Sequence, residues 1–369
     1  MTRGSPAQCV VQSLDADRAA ALLSSVRDHD LPPALHDLVA EYQSFDGARP
    51  WFIWRWVHRL APKNTMPAVD AEHRETVATN KTILVLFITI LDDLVEKRRD
   101  YETFDAIVRL IRLNGGGATS GTGPGTQSPG AADNQSLGVT DNPSFDARYG
   151  PSVDEAYVDF ARTVWETLCG RLERSPSYER YAPLFRFDAR QIVTAIEYST
   201  LAIDRPDLAT EADLRRYETH NMGMYSYLDI DLMYATADYT GDLEALRSVV
   251  DPAQRMARIG NWLSTWEREL REGDVSSGVA VAAIERGLIE PAEVQDRCDL
   301  RDGDHSEAVD RAIERIRASG LEAEFLEEWD EEYRRLVSLS HRTDVVDLDP
   351  FVEGTKDVLR YHLASRGFK

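Results

Sequence analysis

Apolar residues recur at three- and four-residue spacing over residues 19–26, 35–42, 156–172, 192–203, 253–270 and 308–316. That is the period of helices that each bury one face. The two-residue alternation of a half-buried strand is nearly absent. Start signals agree: Asp15, Ser152 and the Asp251–Pro252 pair each precede a helical stretch, the last placing proline at the first helical position. The pattern predicts an all-α fold of roughly a dozen helices, each about 10 to 25 residues long. Residues 82–91 are apolar around the full circumference, which predicts a helix buried on all sides. That stretch runs straight into Asp92, Asp93 and Glu96. A helix C-terminus already carries partial negative charge, and a buried anion costs several kcal/mol unless a cation compensates it. Violations of local rules such as this one mark functional sites.

Residues 114–151 stand apart, rich in Gly, Ser, Pro and Asp with few groups able to order by burial. They read as a flexible surface insertion, because helical pattern flanks them on both sides. With no internal repeat, the simplest organisation is one all-α domain over residues 1–369. A 43% hydrophobic content supports a sizeable core, and 64 acidic against 42 basic residues give a net charge of −22. This balance excludes a general nucleic-acid binder and argues against adsorption to anionic lipid. Only five of the basic residues are lysine, and acidity with arginine in place of lysine is the composition of a cytoplasmic protein from a salt-loving, haloarchaeal-type organism. The three cysteines form no metal or disulfide spacing, which fits a reducing compartment. No secretory leader pattern opens the chain, and its longest apolar run is far short of the ~20 residues that span a bilayer, so a soluble protein without stable membrane insertion is expected.

Two constellations carry chemistry. Asp92 and Glu96 are four apart and share one helix face, with Asp93 turned to the side. Paired carboxylates suit hard cations such as Mg²⁺. Acids are common in this chain, so the spacing alone also fits a solvated face; the buried helix before it makes the difference. Asn261, Thr265 and Glu269 fall at i, i+4 and i+8, a stripe drifting about 40° per step. An amide oxygen, a hydroxyl and a carboxylate in a row make a chelate for a second hard cation. With seven Asn in the chain, only about 0.15 such matches are expected by chance. Elsewhere the eight His form no HExxH or HxH cluster, the Gly115–Gly117 run lacks a phosphate-loop lysine, Cys169 reads as packing, and Asp229 and Asp231 point to different faces.

An aspartate-rich DDxxE after an apolar helix, followed far downstream by NxxxTxxxE, resembles the paired metal motifs of class I terpene synthases, with Trp262 where a second acidic residue is common. The resemblance covers roughly residues 51–343. It implies a class I terpenoid synthase fold and a Mg²⁺-dependent enzyme, a lyase that ionises an allylic prenyl diphosphate of C15 or C20 and cyclises the carbocation. Three Mg²⁺ ions are implied, two at the motif of Asp92, Asp93 and Glu96 and one at Asn261, Thr265 and Glu269. By the same resemblance Arg215 is the diphosphate sensor, Glu218 the linker and Thr219 the effector, with a helix kink at Met222–Met224. A C-terminal arginine closes over the diphosphate, Arg342 being preferred to Arg360 despite Thr343 in place of the usual tyrosine. Phe87 is expected at the cavity end nearest Asp92, and Trp54, Trp56, Trp165 and Tyr227 are candidates either for cavity lining or for core packing. The expected partner is a small-molecule prenyl diphosphate, with no nucleic acid and room for a homodimer. Two rival readings stay open: a prenyltransferase using the same diphosphates, which would want a second aspartate-rich motif, and a catalytically silent helical binding protein.

Overall fold

The computed structural model describes residues 4–114, 150, 152–295, 302–342 and 346–368. Among these the secondary structure is helical and contains no strand. The chain begins with α1 (Pro6–Ser13), α2 (Ala16–Arg27), α3 (Pro33–Tyr42) and α4 (Trp51–Leu60), then the long α5 (Arg74–Asp92) and α6 (Tyr101–Asn114). It continues through α7 (Glu155–Leu172), α8 (Tyr178–Asp204), α9 (Glu211–Tyr217) and α10 (Met224–Met233) to α11 (Leu243–Glu272). The remainder is α12 (Gly278–Glu285), α13 (Pro291–Gln295), α14 (Asp302–Ser319), α15 (Leu321–Ser340) and α16 (Asp349–Ala364). Lengths run from 5 residues in α13 to 30 in α11, a wider span than the periodicity suggested.

Two of the three expected helix starts differ. Asp15 caps α2 by accepting from the Arg18 amide, but α7 is capped by Asp154 rather than Ser152. Pro252 lies inside α11, where the buried Leu246, Val249 and Val250 before it and Ala253 and Met256 after it keep one apolar face continuous. Burial along that face outweighs the lost proline hydrogen bond. The expected insertion falls almost wholly on residues 115–149, outside the described residues.

Two helices organise the interior. α5 is packed by α3, α4, α7, α8 and α10, and every residue from Thr82 to Leu91 except Val85 is buried. α11 is packed by α10, α12, α14, α15 and α16. A buried cation fixes α5 in place: Lys81 Nζ lies 2.7 Å from Asp231 of α10 and donates to the Asn64 carbonyl (2.9 Å) and Thr65 hydroxyl (3.1 Å). Asp231 also accepts from the Met66 amide at 2.9 Å, so one ion pair ties the turn after α4, α5 and α10 together. Among the described residues no helix is long and apolar enough to cross a membrane.

Breaking that pair from one side leaves a buried charge alone. Lys81→Met is expected to lower the unfolding free energy by about 3–5 kcal/mol, measured by chemical denaturation. The K81M/D231N double variant, neutral on both sides and still able to accept from Met66, should recover most of that loss.

Candidate active site

α5 does not end in an ordinary cap. After Asp92 the chain widens into a π-helical turn over Asp93–Arg98, closed by Arg99 at φ 53°, the only non-glycine residue in the left-handed region among the described residues. The Asp100 amide donates to the Leu94 carbonyl at 2.9 Å and completes the reversal into α6. Turns of this kind are rare and gather at functional sites. Here the turn buries Asp93 on one side and presents Asp92 and Glu96 to an interior cavity.

The cavity measures about 170 Å³ and lies between α4, α5, α10, α11 and α16. Asp92 and Glu96 line it from one wall, and Asn261, Thr265 and Glu269 line it from α11. Val57, Val85 and Ile88 supply apolar wall, Trp56 and Tyr227 supply aromatic rings, and Met222 and Met224 flank the break before α10. That break is a 3₁₀ turn, Glu218–Met222, ended by Gly223 at φ 63°. A Cβ there would also press against Ile88 Cδ1 at 3.4 Å.

The wall is electrostatically crowded. Burial and then the neighbouring Glu96 push the Asp92 carboxyl up to about 8. Among the described residues Asp92 makes no ion pair, and its partner is the Asn221 amide, which donates at 3.1 Å. Burial and the Asp274 carboxylate push Glu96 up to about 7, and burial and Glu269 push Asp274 up to about 6. Three arginines oppose this charge. Arg49, just before α4, donates from Nε to Asp93 at 3.0 Å and from an Nη to Glu96 at 3.3 Å. Arg258, buried on α11, donates from Nε to Glu218 at 2.6 Å and from an Nη to Asn261 Oδ1 at 3.0 Å. Arg268 lies beside Glu269 at 3.4 Å and Glu272.

Other expected positions lie elsewhere. Asp93 is buried against Tyr42, Arg49 and Lys97 rather than lining the cavity. Arg215 is held by Glu328 (2.7 and 2.8 Å) and Glu211 (2.9 Å), away from the cavity lining. Glu218 and Thr219 are both buried at the break, the first gripping Arg258 and the second donating to the Arg215 carbonyl at 3.3 Å. Arg342 is exposed just past α15, and Arg360 pairs with Asp357 on α16. Phe87 packs on Trp165 with centroids 4.9 Å apart, lining a separate small void. Its position five residues before Asp92 places it about 140° round the helix from that carboxylate. Trp54 is core packing, edge-on to Tyr42. Of the aromatic candidates, Trp56 and Tyr227 line the cavity. Sequence reasoning missed Arg49, Asn221, Arg258, Arg268 and Asp274. Arg258 left a signal, since it stands three residues before Asn261 and shares its face.

Among the described residues no three carboxylate, imidazole or thiol groups stand close enough to enclose a metal by themselves. The donor set still fits hard divalent cations. All five facing groups offer oxygen, and among the described residues Asp92 has no counter-cation in contact and Asn221 Oδ1 beside it is buried without a partner.

No family model and no curated protein matches the chain. Among solved structures it is similar to wild-type cucumene synthase, at 16% identity over 94% of this chain and 96% of that one, with a TM-score of 0.48. It is also similar to a point variant of cucumene synthase, at 14% identity over 93% of this chain and 100% of that one, with a TM-score of 0.44.

The raised carboxyls fix the sign of a pH effect. Folded Asp92 and Glu96 keep protons up to about pH 8 and 7, whereas an unfolded carboxyl releases them near pH 4. Unfolding therefore releases protons in that window, and these groups make stability fall as pH rises through it. In chelator-containing buffer Asp92→Asn should stabilise the chain at pH 8 relative to pH 5 by on the order of 2 kcal/mol over wild type. Paired urea titrations at the two pH values read the difference.

Proposed function

We propose that the chain is a Mg²⁺-dependent class I terpene cyclase acting on an allylic prenyl diphosphate of C15 or C20. One observation carries the reading: the oxygen rows of Asp92 and Glu96 and of Asn261, Thr265 and Glu269 line a single cavity together with arginines and with apolar and aromatic side chains. Neither wall encloses an ion alone, so each row would complete its coordination with oxygens of a bound diphosphate. Bound divalent cations supply positive charge to the leaving diphosphate and so lower the barrier to breaking the allylic C–O bond.

The protein's own part is positioning and exclusion. Asp92 and Glu96 hold ligand oxygens at the C-terminal end of a helix that cannot move far, because it is packed by five others. The α11 row holds its three oxygens on one face. Val57, Val85 and Ile88 supply apolar wall that disfavours water, and the rings of Trp56 and Tyr227 offer negative faces to a carbocation, each about 0.5–2 kcal/mol. A cavity of about 170 Å³ is below the roughly 300 Å³ of ordinary ligand sites. Met222 and Met224 are the wall side chains best able to give way to a longer chain, because thioethers repack at small energetic cost.

The test is turnover. In high-salt buffer with Mg²⁺, allylic C15 or C20 diphosphate should yield pyrophosphate and an extractable hydrocarbon or alcohol, identified by mass spectrometry. The D92A/E269A double variant should lose at least about 10³-fold in rate, removing about 4 kcal/mol of transition-state stabilisation. Retained Mg²⁺-dependent turnover in that variant would overturn the assignment. Longer diphosphates formed when isopentenyl diphosphate is added would identify prenyl transfer instead.

A further inference from the structure

Two arginines in the cavity wall share one arrangement. Arg258 is anchored by Glu218, a fully buried carboxylate outside the cavity, through Nε and one Nη. Its other Nη donates to Asn261 Oδ1, an oxygen assigned above to a cation. Arg49 repeats the pattern from the opposite wall. Its Nε is anchored by buried Asp93, itself held by the Tyr42 hydroxyl, and one Nη reaches Glu96, again an assigned cation ligand. Each guanidinium thus has one side anchored on a buried acid and another side on a ligand oxygen. The arginines at the positions that resemble the family's phosphate grips are engaged elsewhere: Arg215 is bound by two glutamates and Arg342 is exposed outside the lining.

We propose that Arg258 and Arg49 are the diphosphate-binding cations of this chain, and that they compete with metal for Asn261 and Glu96 until a diphosphate takes over their cavity-facing N–H groups. The inference rests on the proposed function and deepens it. A dication on Asn261 Oδ1 or on the Glu96 carboxylate would stand against a guanidinium within hydrogen-bond distance of the same oxygen, two positive charges in a low-dielectric wall. A diphosphate resolves the conflict. Its oxygens accept the freed N–H groups in the forked geometry guanidinium favours, and its charge neutralises both cations. Cation and diphosphate therefore bind strongly together and weakly apart, a reciprocal coupling. Glu218 and Asp93 act as positioning residues, keeping each guanidinium in the wall while one N–H group changes partner.

The experiment is a Mn²⁺ titration followed by electron paramagnetic resonance, with and without inorganic pyrophosphate, on the full chain. In wild type, pyrophosphate should tighten Mn²⁺ binding by at least tenfold. The E218Q/R258Q variant removes one anchored pair without stranding a buried charge, and D93N/R49Q removes the other pair while freeing Glu96 of its guanidinium. Each should bind Mn²⁺ alone several-fold more tightly than wild type, while the tightening by pyrophosphate shrinks at least several-fold. A merely structural arginine would weaken both quantities together. Should a double variant fail to fold, R258K serves: an ammonium cannot hold Glu218 and a phosphate in one fork, so the tightening should fall several-fold with Mn²⁺ binding alone near wild type. Unchanged tightening in folded variants overturns the inference and leaves the cyclase reading standing. Absence of tightening in wild type overturns both.

Discussion

The structure turns on the burial of carboxylates at the closed end of an apolar helix. α5 and the turn after it deliver Asp92, Asp93 and Glu96 where the helix dipole is negative, Asp93 buried and the other two half-buried at the cavity. Ordinary surface ion pairs, worth about 0–1 kcal/mol, would not hold such charges in place. The chain answers with guanidinium groups from two distant places, the half-buried Arg49 before α4 and the buried Arg258 of α11, and with a π turn that separates three acids onto two sides. Among the described residues Asp92 alone of the three makes no ion pair, and burial followed by the neighbouring Glu96 raises its carboxyl to about 8. The site is therefore incomplete as a charge arrangement, which is the property expected of a place that takes up cations.

What could be read from the sequence follows from which relations are local. Helix geometry alone puts Asp92 with Glu96, and Asn261 with Thr265 and Glu269, on shared faces, and both rows line one cavity. The same geometry, applied to residues before Asp92, favours positions three, four and seven back. Thr89, Ile88 and Val85 are indeed the α5 residues beside Asp92 in the wall, while Phe87 points to Trp165. Periodicity found the long helices but not their limits, because Pro252 is carried by the continuous buried face of α11.

The relations that stayed hidden are those between elements far apart in the chain. Nothing in the letters around Arg49 points to Asp93 and Glu96, which lie 44 and 47 residues downstream. The motif around Arg215 fixes its place before the break at Glu218–Met222 but not which way its side chain turns, and Glu328 on α15 decides that. The π turn is equally invisible, since the lengths of its hydrogen-bonded rings depend on how α5 meets α6.

The acidic excess of the chain and the arginines of the cavity act on different scales. At high ionic strength the charge of −22 is screened within about 3 Å of the surface, so the diphosphate proposed as ligand would approach without long-range repulsion. Salt reaches the buried pairs far less, and Arg258 with Glu218 keeps its strength in the same medium. A ligand that meets little opposition outside and fixed guanidinium groups inside is recognised by the wall of the cavity rather than by the field of the protein. Low salt reverses this order: the outer repulsion extends to about 30 Å at 0.01 M and opposes the approach of an anion.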